Sequence, residues 1–128
     1  MSNKHTVLIA DDEELFRRSL ADVLEVNGYR TVMAADGDAA WQLLRLDGFS
    51  LALVDIHMPR KGGIEVLSEL AALSHAPPVI MMTAHRLEGY ARRLEAEKAL
   101  ALFTKPLDVA DLLETMKLCC SKSRAQCE

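Results

Sequence analysis

The sequence predicts an α/β fold, a doubly wound parallel sheet of five strands with five helices on its two faces. Two observations predict it. Short apolar runs rich in β-formers alternate along the whole chain with segments whose apolar residues recur at helical period. Four of those runs also end on a residue that can handle phosphate or metal: VLIA before Asp11 and Asp12, LALV before Asp55, VIMM before Thr83, and LALF just before Thr104 and Lys105. In an open parallel sheet the ligand site lies beyond the carboxyl ends of the strands, so these carboxylates, the hydroxyl and the ammonium are expected at one edge.

The elements follow in order. Thr6 to Ala10 reads as the first strand, and Glu13 to Asn27 as a helix with Phe16, Leu20, Val23 and Leu24 on one stripe, stopped by Gly28. Tyr29 to Ala34 is the second strand, and Asp38 to Leu46 a helix packed through Ala40, Leu43 and Leu44, ending near Gly48. Leu51 to Val54 is the third strand. A loop with Pro59, Gly62 and Gly63 leads to a helix from Ile64 to Leu73, and Pro77 and Pro78 close that connection. Val79 to Met82 is the fourth strand. The helix predicted over Leu87 to Glu97 turns Leu87, Tyr90, Ala91 and Leu94 inward, and Gly89 inside it costs about 1 kcal/mol relative to Ala. Ala99 to Thr104 is the fifth strand; a last helix, capped by Asp108, shows Leu112, Leu113 and Met116 to the core. The polar residues after Lys117 are expected to fray.

At 128 residues, half of them apolar, the chain fits a single core and leaves no room for a second domain: residues 1–120 form the expected domain and 121–128 a polar tail. A polar N-terminus without a long apolar segment or lipidation box points to a cytoplasmic protein with no membrane partner. The net charge of −4, with dispersed basic residues, argues against direct nucleic-acid binding. Cys119, Cys120 and Cys127 crowd one end at no ligand spacing, which predicts free thiols rather than a disulfide framework or a zinc site.

Each site residue has an ordinary reading when taken alone. Asp11 and Asp12 can serve as helix-start acids, Asp55 as a surface-loop acid, and Lys105 as a solvated lysine. Their joint placement carries the functional reading. Like charges about 4 Å apart repel by roughly 4 kcal/mol at an effective dielectric of 20, so crowded carboxylates call for a hard cation, and oxygen-only ligands with open positions suit Mg²⁺. Such an ion, with Lys105, keeps Asp55 ionised and nucleophilic for phosphoryl transfer.

The segments VLIADDEE, LALVDIHMPRKGGIEVL, VIMMTA and LFTKPL resemble those of the receiver domain of two-component response regulators, over about residues 5 to 119. The resemblance implies a flavodoxin-like sheet of strand order 2-1-3-4-5. It implies Asp55 as phosphoacceptor, receiving a phosphoryl group from a phosphohistidine on a sensor histidine kinase or histidine phosphotransfer protein. Asp12 is implied as a direct Mg²⁺ ligand, Asp11 as a ligand largely through water, with Asp55 and the backbone carbonyl of His57 completing the set. The Thr83 hydroxyl, the Ala84 backbone amide and Lys105 are implied to hold the phosphoryl oxygens, and the Lys105–Pro106 peptide to be cis. Such a domain is a phosphoacceptor that catalyses its own phosphorylation and dephosphorylation, not an enzyme with a separate substrate. Its output is altered binding of a downstream protein or domain, or dimerisation, through the fourth helix, fifth strand and fifth helix. The expected context is a stand-alone or relay protein, with a domain cut from a longer regulator as the alternative.

Two departures stand out. Receivers commonly carry Tyr or Phe where this chain has Leu102, with Phe103 one place later on the opposite strand face. The run EAEKALALF also lacks the Gly usual before the fifth strand. His57 and His85, two places after Asp55 and Thr83, flank the implied water approach, and their bulk predicts a long-lived phosphoryl group. A receiver-like interaction module working without phosphate is the alternative function. A haloacid-dehalogenase-type phosphatase is disfavoured, since it needs a second Asp where His57 stands.

Overall fold

The computed structural model describes residues 5–46, 48–84 and 99–127, with side chains to residue 120. Five parallel strands form its sheet: β1 (Thr6–Ala10), β2 (Arg30–Ala34), β3 (Leu51–Asp55), β4 (Val79–Thr83) and β5 (Ala101–Thr104), in spatial order β2-β1-β3-β4-β5. The described helices are α1 (Glu14–Val26), α2 (Gly37–Leu44), α3 (Gly63–Leu70) and α4 (Val109–Cys127). The helix expected over Leu87 to Glu97 lies outside the described residues.

Alternation along the strands splits the core in two, because successive side chains leave a strand on opposite faces. Leu8, Ala10, Ala52, Val54 and Met81 meet Ala40 and Leu44 of α2 and Ile64, Leu67 and Leu70 of α3 on one face. Val7, Ile9, Leu51, Leu53, Ile80 and Met82 meet Leu20 and Leu24 of α1 and Leu112 and Met116 of α4 on the other. Leu102 packs with the first group and Phe103 with the second, so the two residues do take opposite faces. Every residue of β3 and β4 is buried, which explains why their sequences read as continuous apolar runs rather than alternating ones.

Helix ends follow local chemistry more closely than apolar periodicity. The Asp36 carboxylate accepts the Ala39 amide at 2.8 Å, so α2 begins at Gly37 rather than Asp38. The Glu65 carboxylate reaches back to the Gly62 amide at 3.0 Å, which starts α3 at Gly63. Asp108 caps α4 as expected, accepting the Asp111 amide at 3.1 Å. Gly28 closes α1 at a φ of 96°, a left-handed conformation that glycine adopts without strain.

The fraying expected after Lys117 is a correction. Helix α4 continues to Cys127, and Cys119 and Cys120 are buried in the α1-side core beside Tyr29. Neither is in a disulfide, and burial, then the neighbouring Cys119, pushes the Cys120 thiol up to about 11. Two small, soft apolar side chains thus extend the buried stripe beyond Met116, where the sequence showed only isolated cysteines among polar residues.

Candidate functional site

The parallel register brings the strand ends to one edge. Asp11 directly follows β1, Asp55 is the last residue of β3, Met82 is the register partner of Asp55, and Thr83 closes β4 one place further. Lys105 follows β5, its backbone amide donating to the Thr83 carbonyl at 2.7 Å. Asp11 and Thr83 are fully buried, Asp55 nearly so, and Asp12, His57 and Ala84 are exposed. The Lys105–Pro106 peptide is cis.

Carboxylate oxygens of Asp11, Asp12 and Asp55 all lie within 4.8 Å of one another. The Lys105 ammonium sits among them, donating to Asp11 Oδ2 at 2.6 Å and to Asp55 Oδ2 at 3.2 Å. The other oxygens are also engaged: Asp11 Oδ1 accepts the Glu13 amide at 2.9 Å and Asp55 Oδ1 the His57 amide at 3.1 Å. Gly63 lies under this edge because a side chain there would meet the Asp55 carbonyl oxygen at 2.2 Å.

Burial, opposed by the His57 amide, and then the charge of Asp11 raise the Asp55 carboxyl above its ordinary value, against the pull of Lys105. Burial depresses Lys105, but its hydrogen bond to Asp11 and the charges of Asp11 and Asp55 prevail, leaving the ammonium above its ordinary value. The site therefore keeps its lysine charged while holding an acid that is reluctant to ionise. A further cation eases that reluctance. Oxygen-only donors, two of them buried and one open to solvent, fit a hard divalent ion that retains part of its water shell.

Glu13, just before α1, and Phe16 and Arg17 in its first turns are three residues that sequence reading left out of the site. Glu13 Oε1 lies 3.4 Å from the Lys105 ammonium, the Phe16 ring lies beneath that ammonium at 4.2 Å to its centroid, and Arg17 donates to the Asp11 carbonyl at 2.6 Å. The spacing held the signal, since residues three and four beyond Glu13 share its helical face and point back over the turn that follows Asp12. His85 lies outside the described residues. No helix among the described residues is long and apolar enough to cross a membrane.

A family model for the response regulator receiver domain matches residues 7–117. The chain is 37% identical over 119 residues to the transcriptional regulatory protein PdtaR of Mycobacterium tuberculosis, covering 92% of this chain and 58% of that protein. It is 34% identical over 115 residues to the polar-differentiation response regulator DivK of Brucella ovis, covering 88% and 93%. This chain thus spans little more than half of PdtaR but nearly all of DivK. A CheY-like receiver domain protein from Methanospirillum hungatei superposes with a TM-score of 0.89 at 27% identity, covering 97% of this chain and 99% of that one. The receiver domain of the Francisella response regulator 1452 gives 0.86 at 26%, covering 94% and 99%. The sheet order, the clustered strand-end residues and these matches agree: the chain belongs to the response regulator receiver domain family.

Proposed function

We propose that this receiver domain accepts a phosphoryl group on Asp55 from a phosphohistidine of a sensor histidine kinase or histidine phosphotransfer protein. The observation that carries the reading is the Lys105 ammonium bridging Asp11 and Asp55 at a buried, carboxylate-lined strand edge. An ammonium held there already lies beside the oxygen that gains the phosphoryl group.

In the reaction a carboxylate oxygen of Asp55 forms the new O–P bond while the N–P bond of the donor breaks, and the donor imidazole leaves with a proton. Asp11, Asp12 and Asp55, with the His57 backbone carbonyl, would hold Mg²⁺, which when bound would supply charge neutralisation at the phosphoryl oxygens. Lys105 exchanges its bond to Asp55 for one to a phosphoryl oxygen. Thr83 and the Ala84 amide, at the end of the adjacent strand, receive the others. Hydrolysis of the same bond returns Asp55, so the domain serves as phosphoacceptor and its own phosphatase. The signal leaves through partner binding, with β5 and α4 on the responding face, in the cytoplasm and without nucleic-acid or membrane contact by this domain.

Incubation with acetyl phosphate and Mg²⁺, read by intact mass, tests the proposal. One added phosphate that Asp55→Asn abolishes is expected. An unlabelled parent protein leaves the alternative, an interaction module that works without phosphate.

A further inference from the structure

Lys105 carries a flexible four-carbon stem and a charge that ordinarily seeks water, yet its side chain is only 10% exposed. Among the described residues its ammonium meets the carboxylates of Asp11, Asp55 and Glu13, and the field from the first two changes when a cation or a phosphoryl group arrives. The Phe16 ring is a neighbour whose field stays constant. It lies 4.2 Å from the ammonium, well inside the roughly 6 Å range of a cation–π contact. The same ring helps wall a groove of about 500 Å³ that opens between α1 and the start of α4, bounded by Ser19, Leu20, Val23 and Leu107. Lys105 lines the same groove beside the ring, which bounds the space open to its stem.

We propose that Phe16 is a positioning residue for Lys105: its ring face holds the ammonium over the gap between Asp11 and Asp55 whatever the charge state of the site. This rests on the reading that Asp55 accepts the phosphoryl group. A ring present for packing alone requires only its shape, whereas a positioning ring requires its electron-rich face. The two differ on fluorination, which drains that face and keeps the shape.

The test replaces Phe16 with mono-, di- and trifluorinated phenylalanine, and separately makes Phe16→Leu and Phe16→Tyr, in the full chain. Labelling by acetyl phosphate with Mg²⁺ is expected to slow stepwise with fluorination, reaching about three- to tenfold for the trifluoro ring and for Phe16→Leu, while Phe16→Tyr keeps the parent rate. Equal rates across the series, a Leu variant as fast as the parent, or a folded Tyr variant as slow as Leu overturns the proposal. A second readout needs no phosphate. The ε-methylene protons of Lys105 are expected upfield in the parent, from the ring current, and at their ordinary position in Phe16→Leu. An unshifted parent resonance sinks this inference alone, whereas a parent that shows the shift but never labels sinks the proposed function alone.

Discussion

Replacing Asp55 with Asn is expected to stabilise the metal-free protein, by an amount that grows with pH. The Asp11 carboxylate, within 4.8 Å, repels Asp55 by about 3–4 kcal/mol at an effective dielectric of 20, and exposed Asp12 adds about 1 kcal/mol through water. Lys105, at 3.2 Å, attracts it by about 5 kcal/mol on the same scale. Repulsion and attraction therefore nearly cancel, and desolvation decides the sign. Asn keeps the shape and an oxygen for the His57 amide but sheds the charge, so the gain is about 1–2 kcal/mol at neutral pH. Burial and then Asp11 raise the Asp55 carboxyl, so the folded chain binds this proton more tightly than the unfolded chain. Stability accordingly falls as pH rises from the ordinary carboxylate value through the folded one, and levels off above it. Urea unfolding of parent and variant in EDTA, at about pH 4 and about pH 7, reads both quantities. The reasoning fails if the variant is the less stable at neutral pH, or if the gap is the same at both.

Other outcomes follow from the same geometry. Lys105→Met leaves two buried carboxylates without their shared cation and is expected to lose about 3–5 kcal/mol in EDTA, partly restored by Mg²⁺ in the same urea assay. Gly63→Ala drives a methyl group against the Asp55 carbonyl and the Met81 side chain, with an expected loss of about 2–3 kcal/mol in stability and a parallel fall in phosphate labelling. Cys120, its thiol pushed up to about 11, is expected to stay unmodified by iodoacetamide at about pH 8 until urea unfolds the chain, as peptide mapping will show. Replacing both His57 and His85 with Ala is expected to hasten loss of phosphate, as the bulk of the two residues in sequence implies; a longer lifetime shows instead that the imidazoles assist hydrolysis.

Most of the site was legible because strand ends are. An apolar run that stops at Asp55 or Thr83 places that residue at the sheet edge regardless of how long the neighbouring helices are, and parallel order then brings the edges together. Helix boundaries were less legible, because Asp36 and Glu65 settle them through single backbone amides that apolar periodicity does not register. Glu13, Phe16 and Arg17 were missed for another reason. Spacing shows that they share a helical face, but not that this face meets Lys105, which lies 92 residues beyond Glu13. The buried end of α4 hid in composition: Cys119 and Cys120 act as small apolar residues, whereas their number and position drew attention to thiol chemistry.

The sheet, buried on both sides, works as a partition. Helices α1 and α4 share one compartment, α2 and α3 the other, and the strands carry different side chains into each. Among the described residues the buried apolar side chains fall in separate clusters, so the stability effects of substitutions in opposite compartments are expected to add, whereas those within one compartment couple. The half built on α1 and α4 adjoins the groove, Phe16 and Lys105, and can be reshaped for a new partner while the α2 and α3 half goes on holding the loop after Asp55 in place.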